Sequence, residues 1–167
     1  MMDVSMSVQE IRRSFLEDIR AREIYIPETG FLAGPTYPVR EMVETGIWKQ
    51  QDYGWDNLHF PLNYKLLMQE GVPGIIRRAS VPRDGLSEEQ QEYRALIAAS
   101  WNEIGQYILR HAEKAEALAS ERPEDAARLR RIAQNCRTLS CRAPETFEQG
   151  VQLFWFIWRR RGNYTSC

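Results

Sequence analysis

Histidine and cysteine are scarce in this chain, two of the first and three of the second in 167 residues. That scarcity limits metal and thiol chemistry. An odd cysteine count leaves at least one thiol unpaired, and no secretory signal is read at the N-terminus, so a reducing, cytoplasmic setting is expected. Cys136 and Cys141 with His59 and His111 are the one zinc set that can be drawn. Neither histidine has a partner at ligand spacing, so no structural metal site is expected. Charge of one sign is also lacking: 22 Lys and Arg stand against 23 Asp and Glu. Such a balance argues against a broad nucleic-acid surface, which needs an excess of positive charge on one face. The basic run Arg159–Arg161 follows an aromatic helix, where cations complement the helix C-terminus. No apolar run approaches the roughly 20 residues that a membrane helix requires. Gly30 and Gly34 lack the spacing of a phosphate-cradling loop, and no serine sits in a nucleophile elbow. Alternating strand patterns and internal repeats are missing too.

What remains is helical. Ser7 and Glu10 have capping-box spacing, and Ile11, Phe15 and Ile19 recur every four residues behind them, predicting an amphipathic helix to about Arg22. Arg12, Arg20 and Arg22 read as surface charges on it. Asn63 to Glu70 predicts a short helix stopped by Gly71, and Pro73 opens another to Ala79. Ser87 with Gln90 is a second capping box and opens the longest helix, to about Ser120. Its apolar stripe is Tyr93, Ile97, Trp101, Ile104, Ile108 and Leu109. Gly105 in its middle costs about 1 kcal/mol relative to alanine, which predicts close packing of another element there. Pro123 starts a further helix through Leu129 and Ile132, and Thr146 with Gln149 forms a third capping box.

Two stretches resist this simple reading. Between residues 25 and 58 glycine and proline break any long period, and only Val39 to Thr45 predicts a short helix. The stretch nevertheless carries Phe31, Tyr37, Trp48, Tyr53 and Trp55, aromatics that are costly to leave in water. It is expected to cover a surface contributed by residues outside this chain. The final helix is the other. Phe147, Val151, Phe154 and Trp158 make one face, while Leu153, Trp155, Phe156 and Ile157 fill the rest, the pattern of a helix buried all round.

His59 is the candidate binding residue. It stands between the aromatic stretch and the helix opened by Asn63, and a neutral imidazole both donates and accepts hydrogen bonds to a hydroxylated ligand. Cys136 and Cys141 read as packing residues, since a free cysteine most often behaves as a small hydrophobe.

Two blocks then carry a family resemblance. Ala133-Gln134-Asn135-Cys136-Arg137 closes one helix. Arg142-Ala143-Pro144-Glu145-Thr146-Phe147-Glu148-Gln149-Gly150-Val151-Gln152-Leu153-Phe154-Trp155-Phe156-Ile157 opens the next. Together they resemble a signature of the pyruvate formate-lyase-like glycyl radical enzymes. His59, Asn63, Tyr64, Leu67 and Gly71 resemble a segment that contacts substrate in dehydratase-type relatives, with Asn63 where they carry Asp and Leu58 where they carry Gly. The resemblance implies a mainly α fold: the helical N-terminal segment of an enzyme whose β/α barrel and radical site lie elsewhere. It implies a radical stored on a glycine in an Arg-Val-x-Gly-Tyr motif and a thiyl formed in a Cys-x-Glu loop. A partner activase using S-adenosylmethionine and an iron–sulfur cluster would install the radical, in a cytoplasmic, anaerobic homodimer.

Neither motif occurs among these 167 residues. The expectation is therefore a single helical region over 1–167, with the signature on 87–161, that forms part of a radical lyase or dehydratase. Such a part would not be catalytically competent alone, would bind no cofactor itself and would work with the remainder of the enzyme. An independent helical interaction module with a core around Trp101, Trp155 and Trp158 is the alternative. A small enzyme acting through His59 with Asp52 or Asp56 is a third reading.

Overall fold

A computed structural model describes residues 8–22, 24–34 and 63–158. Among them there are five α-helices and no strand. α1 runs Val8–Ala21, α2 Tyr64–Ser80, α3 Glu88–Glu121, α4 Ala126–Cys141 and α5 Phe147–Trp158. A 3₁₀ turn over Pro123–Asp125 precedes α4, so the helix expected at Pro123 begins three residues later.

α3 is the spine, roughly 50 Å long at 1.5 Å per residue. Its start is the expected box. Ser87 Oγ accepts from the Gln90 N–H at 3.2 Å, and Gln90 Oε1 accepts from the Ser87 N–H at 3.0 Å. α4 folds back along the C-terminal half of α3, the most extensive helix pair of the fold. Small residues permit the approach: Ala112, Ala115 and Ala119 on α3 and Ala126 and Ala133 on α4 are all buried. Ile108, Leu129, Ile132, Cys136, Leu139 and Leu153 complete an aliphatic centre. The core expected around Trp101 and Trp155 is not found; both indoles are only half-buried, and the Trp158 side chain lies outside what is described.

Burial on α3 starts only at Ile104. Tyr93, expected in the apolar stripe, is 62% exposed, and Ile97 and Trp101 are half-buried. The physical reason is length, because the C-terminal half of α3 alone has α4 against it while the first half meets little more than α2.

α2 breaks where glycine foretold it. Gly71 takes φ 65° and ψ −174°, so two short helices meet there at a kink. A Cβ at Gly71 would stand 2.6 Å from the Arg142 carbonyl oxygen and 2.7 Å from the Ala143 Cα, so the kink lets α2 press on the turn between α4 and α5. Gly105 behaves differently. A Cβ there would find the Val72 side chain at 3.5 Å and the Ser140 carbonyl at 3.7 Å, ordinary contact distances. Three helices do converge at Gly105, as expected, yet alanine would fit.

Two arginines of α3 close the preceding helices. The Arg110 guanidinium donates to the Ile19 and Arg20 carbonyls at 2.9 and 2.7 Å, and Arg94 donates to the Arg78 and Val81 carbonyls. These are the carbonyls that a helix C-terminus leaves without intrahelical partners. Exposed Arg20 also pairs with Glu103. The Ser7 capping box and the helix expected over Val39–Thr45 lie outside the described residues, as do the side chains of Ile11, Phe15 and Arg12.

Candidate functional site

The residues singled out for chemistry are only partly within view. His59, Asp52 and Asp56 lie outside the described residues. Cys136 is buried between α3 and α4, where desolvation pushes its thiol up to about 12. It is an inert packing group, as read. Cys141 corrects that reading: it is exposed at the end of α4, its thiol turned to the Arg137 carbonyl at 3.3 Å. Its position in the last turn, past the buried Leu139, points it to solvent. Among the described residues no three metal-ligating side chains gather.

His111, the remaining member of the rejected zinc set, has a different part. It is fully buried between the Tyr107 ring (centroids 4.6 Å apart) and the Phe156 ring (5.0 Å). Its Nδ1 lies 2.9 Å from the Tyr107 carbonyl, so Nδ1–H donates and Nε2 carries the lone pair. Among the described residues Nε2 has no hydrogen-bond partner. Burial lowers its pKa to about 4, and the neighbouring Arg110 pushes the same way. The imidazole is neutral and joins α3 to α5.

α5 is where the chain's polar architecture concentrates, and there the sequence reading needs its main correction. The expected face of Phe147 and Phe154 points outward: Phe147 is 89% exposed and Phe154 38%. Gln149, Gln152, Leu153, Phe156 and Ile157 point in. The two glutamines are buried because each is fully engaged. Gln152 Nε2 donates to the Ala33 carbonyl at 2.9 Å, and its Oε1 accepts the Ala33 N–H at 2.6 Å. Gln149 Nε2 donates to Asn135 Oδ1 at 3.3 Å. The third capping box is offset by one residue. Thr146 Oγ1 accepts from the Gln149 N–H, but Gln149 Oε1 reaches the Glu145 N–H at 2.8 Å. Glu148 completes the link to α4, accepting from Asn135 Nδ2 at 2.8 Å and pairing with Arg131, whose guanidinium lies 4.8 Å from the Phe31 ring centre.

Residues 24–34 are thereby laid across α4 and α5 as a strap. Arg128, held by Asp125, donates to the Pro27 carbonyl at 3.1 Å and to the Gly30 carbonyl at 2.7 Å. The Gly34 N–H donates to the Tyr25 carbonyl at 2.9 Å. Gly34 sits at φ 100°, and a side chain there would start 3.6 Å from the Trp155 indole and 3.7 Å from the Phe156 ring. Asn63 Oδ1 caps α2 by accepting the Leu66 N–H at 3.0 Å, and the Tyr64 ring packs 5.1 Å from that of Phe154. Both flanks of residues 35–62, which include His59, therefore abut α5. Sequence reasoning gave Gln149 only a capping role with Thr146 and assigned none to Gln152 or Arg128. The available signal was two glutamines three residues apart on a mostly apolar helix. An open groove of about 610 Å³ also separates the end of α2 from the start of α3, but alanines supply much of its lining and Arg94 there is engaged in closing α2.

Comparison with known proteins adds the following. A family described as "Pyruvate formate lyase-like" matches residues 19–159. A (2S)-3-sulfopropanediol dehydratase of Klebsiella oxytoca is 33% identical over 106 residues, covering 59% of this chain and 13% of that protein. A trans-4-hydroxy-L-proline dehydratase of Clostridioides difficile is 38% identical over 50 residues, 29% of this chain and 6% of that one. Among solved structures, the glycerol-bound B12-independent glycerol dehydratase of Clostridium butyricum aligns with TM-score 0.70 at 16% identity. It covers 93% of this chain and 29% of its own length. A structure concerning 1,2-propanediol dehydration in Roseburia inulinivorans gives TM-score 0.67 over the same shares. At such identity the structures speak for fold. The chain spans a small part of every one of these relatives.

Proposed function

This chain belongs to the pyruvate formate lyase-like family, and from that premise we propose that it is the helical N-terminal portion of a glycyl radical dehydratase or lyase. Its catalysis would be carried by polypeptide beyond these 167 residues. The observation that carries this reading is the family match across 19–159, joined to relatives that are dehydratases of much greater length. The described thiols agree with it. Cys136 is sealed between helices, and Cys141 stands exposed at a helix end with its thiol on the Arg137 carbonyl.

In this reading the chain supplies scaffold and one substrate contact. His59, four residues before the cap at Asn63, would hydrogen-bond a substrate hydroxyl. The relatives' names point to hydroxylated small molecules as the substrate class, among them a sulfonated diol and a hydroxyproline. The radical glycine, the reacting cysteine and the barrel belong to the remainder of the enzyme, and the activating partner loads the radical there.

The test is anaerobic reconstitution. This chain alone, incubated with an activase, S-adenosylmethionine and a diol, is expected to give no product. The full polypeptide in which it is embedded is expected to turn over, and His59→Ala in that polypeptide should raise KM about tenfold, the scale of one lost hydrogen bond. Turnover by the 167-residue chain alone would overturn the proposal.

A further inference from the structure

The strap ends at the point where the described chain hands over to residues 35–62, and one buried side chain holds that end. Gln152 is 1% exposed, and both of its amide atoms are spent on Ala33, one on its N–H and one on its carbonyl. Few side-chain contacts fix a loop residue on both sides of its peptide unit. Arg128 holds the strap separately, at Pro27 and Gly30. We infer that Gln152 is a positioning residue: a latch that sets where the chain leaves α5 to enter the segment carrying His59. Its relevance to substrate binding rests on the function proposed above, while the latch itself does not.

Latch and mere stability contribution differ in what they predict. If Gln152 only adds to the stability of the whole, removing it speeds hydrogen exchange everywhere through global unfolding. If it is a latch, the strap opens locally while the helices stay closed. Gln152→Ala should then speed amide exchange at Ala33 and Gly34 by about tenfold or more, the scale of two buried hydrogen bonds, with Leu129 and Ile132 nearly unchanged.

Gln152→Glu supplies a reversible version. An ionised carboxylate accepts the Ala33 N–H but faces the Ala33 carbonyl without a proton to give it. A protonated carboxyl donates and accepts as the amide does. Among the described residues the Gln152 side chain hydrogen-bonds to the Ala33 backbone and to no cation that would hold the carboxylate charged. In this variant strap exchange, corrected for the intrinsic pH dependence, should be fast at pH 8 and return towards wild type at pH 5. Arg128→Ala should loosen residues 27–30 and leave Ala33 protected.

Exchange at Ala33 that rises only in step with Leu129 overturns the latch, and so does a Gln152→Glu strap that is indifferent to pH. Because none of these measurements involves turnover, they stand apart from the KM effect of His59→Ala. A latch that behaves as stated beside an unchanged KM would reject the substrate role of His59 and leave the latch intact.

Discussion

At the scale of single residues, His111 carries the clearest consequence. Its folded pKa of about 4 lies below the usual histidine value of 6.5, because the cavity between Tyr107 and Phe156 excludes water from a charge. The sign follows from proton binding. The unfolded chain takes up a proton near pH 6.5 that the folded chain refuses, so stability is full above that pH and falls as pH drops towards 4. The total loss is about 3 kcal/mol at 1.4 kcal/mol per unit of displacement. Urea unfolding at pH 7, 6 and 5 should show the decline, and His111→Phe should flatten it over that range. Carboxylates do not mimic this window. Glu70, bonded to Arg78, and Asp125, bonded to Arg128, are held below the ordinary carboxylate range, so their contributions are lost at lower pH.

Helices and their junctions show which features periodicity can and cannot reveal. Ser87 with Gln90, Asn63 and Gly71 all act locally, within a few residues of themselves, and so each was legible from spacing. The inward side of α5 was not legible. Gln149 and Gln152 look like solvent positions until Asn135 and Ala33 arrive to satisfy them, the latter from 119 residues away. Phe147 looks like core until that choice of face turns it out. The binding residue itself was named from flanking pattern alone, and His59 lies outside the described residues. Two glycines give an opposed pair of predictions. Gly71→Ala must accommodate a left-handed φ and a 2.6 Å approach to the Arg142 carbonyl, and should destabilise by about 2 kcal/mol or more in thermal or urea unfolding. Gly105→Ala meets only ordinary contacts in mid-helix and should be neutral or stabilising by up to about 1 kcal/mol. If both were equally harmful, the convergence of α2, α3 and α4 at Gly105 would be tighter than described.

For the molecule as a whole, the buried core draws on all five helices through Ile19, Leu67, Ile108, Leu129 and Leu153, while the outer side of α5 presents Phe147 and Phe154, the latter beside Tyr64. Exposed aromatics grouped on one face promote association. Sedimentation of the isolated chain should show concentration-dependent self-association, and Phe147→Glu with Phe154→Glu should reduce it without changing the helical circular dichroism. A monodisperse wild-type monomer at high concentration would contradict this. The mainly helical architecture was readable in the sequence because its caps and stripes are local; the proposed barrel context rests on the family match and on the greater length of the relatives.

The strap offers a last consequence, for comparing relatives by descent. Arg128 and Gln152 grip backbone groups, the carbonyls of Pro27, Gly30 and Ala33 and the N–H of Ala33, which every residue but proline supplies. Substitution along the strap is then invisible to these two holders, but the positive φ of Gly30 and Gly34 and the burial of Ile26 and Ala33 still limit it. Across related sequences the two grips should stay constant while exposed strap positions such as Glu28 and Thr29 drift. Methods that infer contacts from correlated change would find no pairing here, although two parts of the chain more than a hundred residues apart are tied together.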